Sequence, residues 1–124
     1  MNADGSDVTR LTNNPANDLL PLWSPGGSRI VFGRCQATCD VVVINADGSG
    51  ERVVFSDGFP GAWSPDGTRI VFGRDDGIFV INEDGSNLVR VADPDFVTDW
   101  SPDGRQLMIV SDRDGDLELY ATNL

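Results

Sequence analysis

One motif, written three times, constrains this chain more than any other feature. Trp23-Ser24-Pro25-Gly26-Gly27-Ser28-Arg29-Ile30-Val31-Phe32 recurs as Trp63-Ser64-Pro65-Asp66-Gly67-Thr68-Arg69-Ile70-Val71-Phe72. It returns, altered, as Trp100-Ser101-Pro102-Asp103-Gly104-Arg105-Gln106-Leu107-Met108-Ile109. The tryptophans stand 40 and then 37 residues apart. A second motif trails the first: Val43-Ile44-Asn45-Ala46-Asp47-Gly48-Ser49, then Val80-Ile81-Asn82-Glu83-Asp84-Gly85-Ser86. The chain also opens on it, as Met1-Asn2-Ala3-Asp4-Gly5-Ser6. A period near 40 residues, broken by turn formers into short apolar runs, is that of a propeller blade or a similar stacked sheet.

Turn chemistry places the strands. In Ser-Pro-Asp-Gly, Pro presets φ and Asp-Gly favours a tight reversal, so Trp ends strand A and Arg-Ile-Val-Phe begins strand B. Ala-Asp-Gly-Ser makes the later hairpin, between strand C and strand D. Strand D is expected at Val8 to Thr12, Glu51 to Phe55 and Leu88 to Val91. No segment has a helical period. The fold class is therefore all-β, with blades of four antiparallel strands and three blades per chain. The units are 1–12 (an outer strand completing a last blade), 13–55, 56–91, and 92–124 (a blade lacking its outer strand).

The combined pattern resembles the repeat of TolB-type β-propellers, the WD40-like PD40 repeats, over essentially the whole chain. Gly26 departs from the usual Asp, and Gln106 stands where Arg29 and Arg69 stand in the other copies. The resemblance implies a propeller, commonly six-bladed, in proteins that are often extracytoplasmic. TolB is itself a periplasmic partner protein, and other relatives join the propeller to a peptidase domain. Three blades cannot close a ring, because closed propellers have about four to eight. The expectation is a six-bladed homodimer in which each N-terminal strand completes the partner's last blade.

Charge and composition narrow the chemistry. Twenty acids, seventeen of them Asp, face nine bases, all Arg, for a net charge of −11. Nucleic acid and anionic membranes both demand a basic footprint, so neither is an expected partner. A basic protein or peptide is the partner class that this charge admits. There is no His and no Lys, which removes the commonest general base and Schiff-base chemistry. The favoured reading is a non-catalytic scaffold for protein or peptide binding and self-assembly. The alternative is a carboxylate- or metal-dependent lyase or hydrolase using the propeller face. No apolar run approaches the ~20 residues that span a bilayer, and no export signal is visible.

Several residues stand out. Trp23, Trp63 and Trp100 are expected as wedges between blades, and Arg29 and Arg69 as partners of a turn Asp or an aromatic ring. Cys35 and Cys39 flank the B–C loop of the first blade, where a disulfide would clamp the hairpin and suit an oxidising compartment. A redox or metal pair is the other reading, although it lacks the further ligands of a closed zinc site. The B–C and D–A loops of a propeller share one face. Here they carry Asp18, Asp57, Asp75, Asp76, Asp93, Asp95, Asp112, Asp114 and Asp116, an acidic rim that is either simply solvated or able to hold Ca²⁺ or a basic peptide. No cofactor is required. The inner strands, Leu20 to Trp23, Pro60 to Trp63 and Val97 to Trp100, are expected to line the channel, with Asp99 as the charge near its axis.

Overall fold

The computed structural model describes residues 2–93 and 95–124. Met1, in the opening turn motif, and Pro94, in the last D–A loop, lie outside the described residues, as do the side chains of Val97 and Thr98. Eleven strands follow one another without a helix among the described residues: β1 (Asn17–Trp23), β2 (Arg29–Cys35), β3 (Cys39–Asn45), β4 (Arg52–Phe55), β5 (Phe59–Trp63), β6 (Arg69–Arg74), β7 (Gly77–Asn82), β8 (Val89–Ala92), β9 (Phe96–Trp100), β10 (Gln106–Ser111) and β11 (Glu118–Asn123). They form three antiparallel sheets, β1-β2-β3-β4, β5-β6-β7-β8 and β9-β10-β11, each a simple meander. Among the described residues, no helix is long and apolar enough to cross a membrane.

The two turn motifs close in the same way in every copy. After each Trp, the Gly27, Gly67 and Gly104 amides donate to the Ser24, Ser64 and Ser101 carbonyls at 2.8, 2.8 and 2.9 Å. These glycines have φ of 71°, 70° and 70°, which a residue with a Cβ resists. The Ser hydroxyl then accepts from the first amide of strand B, at 3.1 Å for Arg29, 2.9 Å for Arg69 and 2.9 Å for Gln106. Where the motif has Asp, the carboxylate ties the turn further: Asp66 accepts from Ser64 Oγ at 2.6 Å and Asp103 from Ser101 Oγ at 2.6 Å. Gly26 has no side chain with which to make that bond. In the Asn-x-Asp-Gly-Ser turns, Asp4, Asp47 and Asp84 each accept the Ser amide at 2.9 Å.

Burial distinguishes the blades. Strand β6, in the middle sheet, is buried on both faces at Ile70, Val71 and Phe72, because a blade packs on each side. Strand β10 alternates exposed and buried positions, as a strand with one covered face must. The first junction packs Val31, Val41, Val43 and Val54 against Trp63, Ile70, Phe72, Phe79 and Ile81. The second packs Val71, Ile78 and Val80 against Trp100, Leu107 and Ile109.

One expected strand is absent. Residues 8–12 carry the sequence of a strand D yet pair with nothing as a strand, because no described strand of the chain lies beside them to complete a ladder. Leu11 packs instead on Ile30, Phe32, Val42 and Ile44, the outward face of the first sheet. In the repeat register Leu11 corresponds to Val54 and Val91, which meet the following sheet in the same way.

Candidate binding face at the interblade loops

Each blade junction is built around a tryptophan and an arginine. Trp63, 7% exposed, donates its indole N–H to the Leu22 carbonyl at 3.0 Å, and the Arg29 guanidinium lies 5.6 Å from its ring centre. Trp100, 6% exposed, donates to the Ala62 carbonyl at 3.4 Å, with Arg69 4.8 Å from its ring. Both contacts cross from one sheet to the next. Arg29 also pairs with Glu83, which Arg52 contacts at 3.3 Å. Trp23 is the exception: it is 60% exposed, and among the described residues no sheet packs over it. The Cys35–Cys39 pair is a disulfide joining residues that face each other across β2 and β3, with Cα atoms 4.0 Å apart.

Some of the acidic loop residues are held by arginine and some ring a cleft, and Asp95 does both. Asp18 accepts from Arg34 at 2.8 and 3.0 Å, and the same guanidinium clamps Glu51. These hydrogen bonds hold both carboxyls below their usual range. Asp76 lies 3.4 Å from Arg74, and Asp93 lies 3.0 Å from Arg90. Asp114 accepts the Tyr120 hydroxyl at 2.5 Å, and this bond pushes the phenol up to about 12. Asp116 is exposed on the same loop.

Asp57, Asp75 and Asp95 line a cleft of about 360 Å³ between the D–A and B–C loops, together with Leu20, Phe59, Arg74 and Phe96. Asp112 borders an adjoining hollow that shares Arg74, Asp75, Asp95 and Phe96. Phe59 and Phe96 are 54% and 72% exposed, an unusual state for large apolar rings. Arg74, which lines the cleft, has the rings of Phe55 and Phe79 5.4 and 5.5 Å from its guanidinium. Asp95 is largely buried and receives the Arg113 guanidinium at 2.5 Å. The carboxylates surround the cleft, and no group of three His, Cys, Asp or Glu among the described residues is placed to hold a metal ion.

Asp99 is not in this group. It lies in a hollow with Trp100, Gln106 and Ala121, on the open side of the third sheet. Its carboxylate accepts the Trp100 amide at 2.8 Å. Neither repeat motif marks Phe59 or Phe96 as a site residue. A signal was present: Leu19, Phe59 and Phe96 all stand four residues before a repeat tryptophan.

The turn carboxylates make stability depend on acid. Hydrogen bonds from Ser64 and then Thr68 hold the Asp66 carboxyl down at about 2. A depressed carboxyl contributes its stabilisation above its unfolded value and loses it as pH falls through the folded one. The urea midpoint is therefore expected to be level above about pH 5 and to fall between about pH 4 and 2. Asp66→Asn should reduce that fall, and an unchanged acid limb in the variant would refute the assignment.

No family model matches the sequence, nor does any curated protein. Among solved structures, TolB from Acinetobacter baumannii is similar at a TM-score of 0.81 and 19% identity, covering 98% of this chain and 33% of its own. An oligogalacturonate lyase in complex with manganese is similar at 0.78 and 18% identity, covering 98% of this chain and 39% of its own. A protein assigned as TolB from Agrobacterium tumefaciens is similar at 0.65 and 16% identity, covering 91% and 60%. The chain thus spans about a third to three fifths of the length of these structures. Its three repeats have the blade fold of the TolB-type β-propellers.

Proposed function

We propose that the chain is a non-catalytic propeller scaffold that binds a cationic peptide segment at the cleft of its loop face, in an oxidising, extracytoplasmic compartment. The observation that supports it is the pairing of exposed Phe59 and Phe96 with Asp57, Asp75 and Asp95 around one cleft. An arginine or lysine can lay its aliphatic stem on such rings while its charge meets the carboxylates. A net charge of −11 draws a basic ligand toward the surface from a distance. The disulfide supports the compartment, since such bonds persist where glutathione does not reduce them.

The test is fluorescence anisotropy with a labelled Arg-Gly-Arg-Gly-Arg peptide at low and physiological salt. Saturable binding that weakens with salt is expected. A combined Asp57→Asn, Asp75→Asn and Asp95→Asn variant should bind at least about tenfold more weakly, a change of about 1.4 kcal/mol. Binding that ignores the triple substitution would refute the site. The competing class, a lyase or hydrolase, would replace this reading if the chain turned over oligogalacturonate with added Mn²⁺.

A further inference from the structure

One column of the repeat changes in the second blade and leaves an arginine without the clamp that its equivalent has. Five residues before the motif tryptophans stand Asp18, Gly58 and Asp95. In the first blade Asp18 lies opposite Arg34 across β1 and β2 and accepts from its guanidinium at 2.8 and 3.0 Å. Glu51 accepts from the same guanidinium at 2.9 Å. In the third blade Asp95 receives Arg113 at 2.5 Å. In the second blade Arg74 takes the place of Arg34, but Gly58 stands where Asp18 does and Leu88 where Glu51 does. The cation is kept and both of its carboxylates are gone.

Arg74 shows the consequence. Among the described residues, its Nε alone of the buried side-chain nitrogens and oxygens has no hydrogen-bond partner. Asp76 lies 3.4 Å from that nitrogen without the geometry of a hydrogen bond, and its side chain is 62% exposed. A buried donor left unpaired is costly, and an acceptor brought by a ligand removes that cost. The fold cannot supply the missing carboxylate from residue 58, because a Cβ there would meet Phe72 Cδ2 at 2.7 Å.

We infer that Arg74 is the carboxylate-binding residue of the loop-face cleft, and that its ligand is the C-terminal residue of a chain ending in arginine or lysine. The inference rests on the reading of this cleft as a site for a cationic peptide, and narrows it to a chain end. Arg74 lines the cleft together with Asp57, Asp75, Phe59 and Phe96. Asp95 is already taken by Arg113, which leaves Asp57 and Asp75 to meet a ligand cation. A C-terminal basic residue carries a partner for each of these groups: a carboxylate for Arg74, an aliphatic stem for the rings and a charge for the two aspartates. The planar guanidinium suits a carboxylate in particular, since it can donate two parallel N–H bonds to it. The cleft volume of about 360 Å³ is near the low end of the ~300–1,000 Å³ of ligand pockets, a size for a chain end rather than an extended segment.

The test is fluorescence anisotropy with Arg-Gly-Arg-Gly-Arg labelled at its N-terminus, prepared as the free acid and as the C-terminal amide. The amide is the more positive peptide, so long-range attraction to a net charge of −11 favours it. A preference for the acid therefore reports a local carboxylate site. The unaltered chain is expected to bind the acid at least about tenfold more tightly than the amide. Arg74→Gln should remove that preference with an unchanged circular-dichroism spectrum, and a preference that survives the substitution would overturn the role of Arg74. Equal binding of the two peptides to the unaltered chain, still weakened by the triple aspartate substitution, would overturn the carboxylate site and leave the cationic-peptide reading standing. Absence of saturable binding by either peptide would overturn both.

Discussion

Trp63→Ala is expected to lower the free energy of unfolding by about 3–5 kcal/mol, the usual cost of deleting a buried aromatic side chain. The residue lies at the first blade junction, 7% exposed, against Val31, Val41 and Val43 on one sheet and Ile70, Phe72 and Ile81 on its own. Its loss would open a cavity between two β-sheets, whose packed side chains cannot easily collapse into the space. Trp63→Phe keeps most of the apolar area but strips the Leu22 carbonyl of its donor, and should cost about 1 kcal/mol for that bond. Trp23→Ala, at a position 60% exposed, should stay within about 0.5 kcal/mol of the unaltered chain. Urea unfolding followed by circular dichroism checks all three. Equal effects of Trp63→Ala and Trp23→Ala would mean that the tryptophans do not act as wedges between blades.

Phe72→Ala should be as damaging, again about 3–5 kcal/mol, and it couples to a glycine that looks incidental in the sequence. Phe72 is 0% exposed and sits among rings, 4.8 Å from Phe55 and 5.7 Å from Phe79 between centroids. A Cβ on Gly58 would come within 2.7 Å of Phe72 Cδ2 and 3.1 Å of Cε2. The Gly58 amide, donating to the Cys39 carbonyl at 2.7 Å, pins the loop against that ring. Gly58→Ala is therefore expected to cost about 1–3 kcal/mol through overpacking. In the Phe72→Leu background the clash is relieved, so the added cost of Gly58→Ala should shrink, a coupling that a double-mutant cycle reads directly. Strict additivity would show that the loop yields without disturbing the ring.

The strand layout was legible because its information is local. Pro and Gly at Pro65 and Gly67, or Asn and Gly at Asn82 and Gly85, shape a reversal whatever surrounds it, so most strand ends fall within a residue or two of where turn chemistry puts them. The expected strand at Val8 to Thr12 shows the limit of that reasoning. Its preceding turn forms, with the Asn2 and Gly5 amides donating at 2.8 and 2.9 Å, yet a strand needs a neighbouring ladder that no local sequence supplies. The acidic loops were legible as a group but not individually. Asp18 and Asp57 look alike in sequence; Arg34 holds the first in a clamp, while the second borders an apolar cleft.

By itself, then, the sequence determined the repeat, the turns, the all-β blades, the recurrent Trp and Arg positions and the net charge of −11. Each follows from residues close together in the chain or from a sum over it. Only the tertiary structure decided which face of each blade is covered, because burial depends on what packs across a junction some 40 residues away. For the same reason it alone showed Trp23 exposed while its repeat equivalents are buried, and Phe59 and Phe96 gathered with Asp57, Asp75 and Asp95 from separate blades into one cleft.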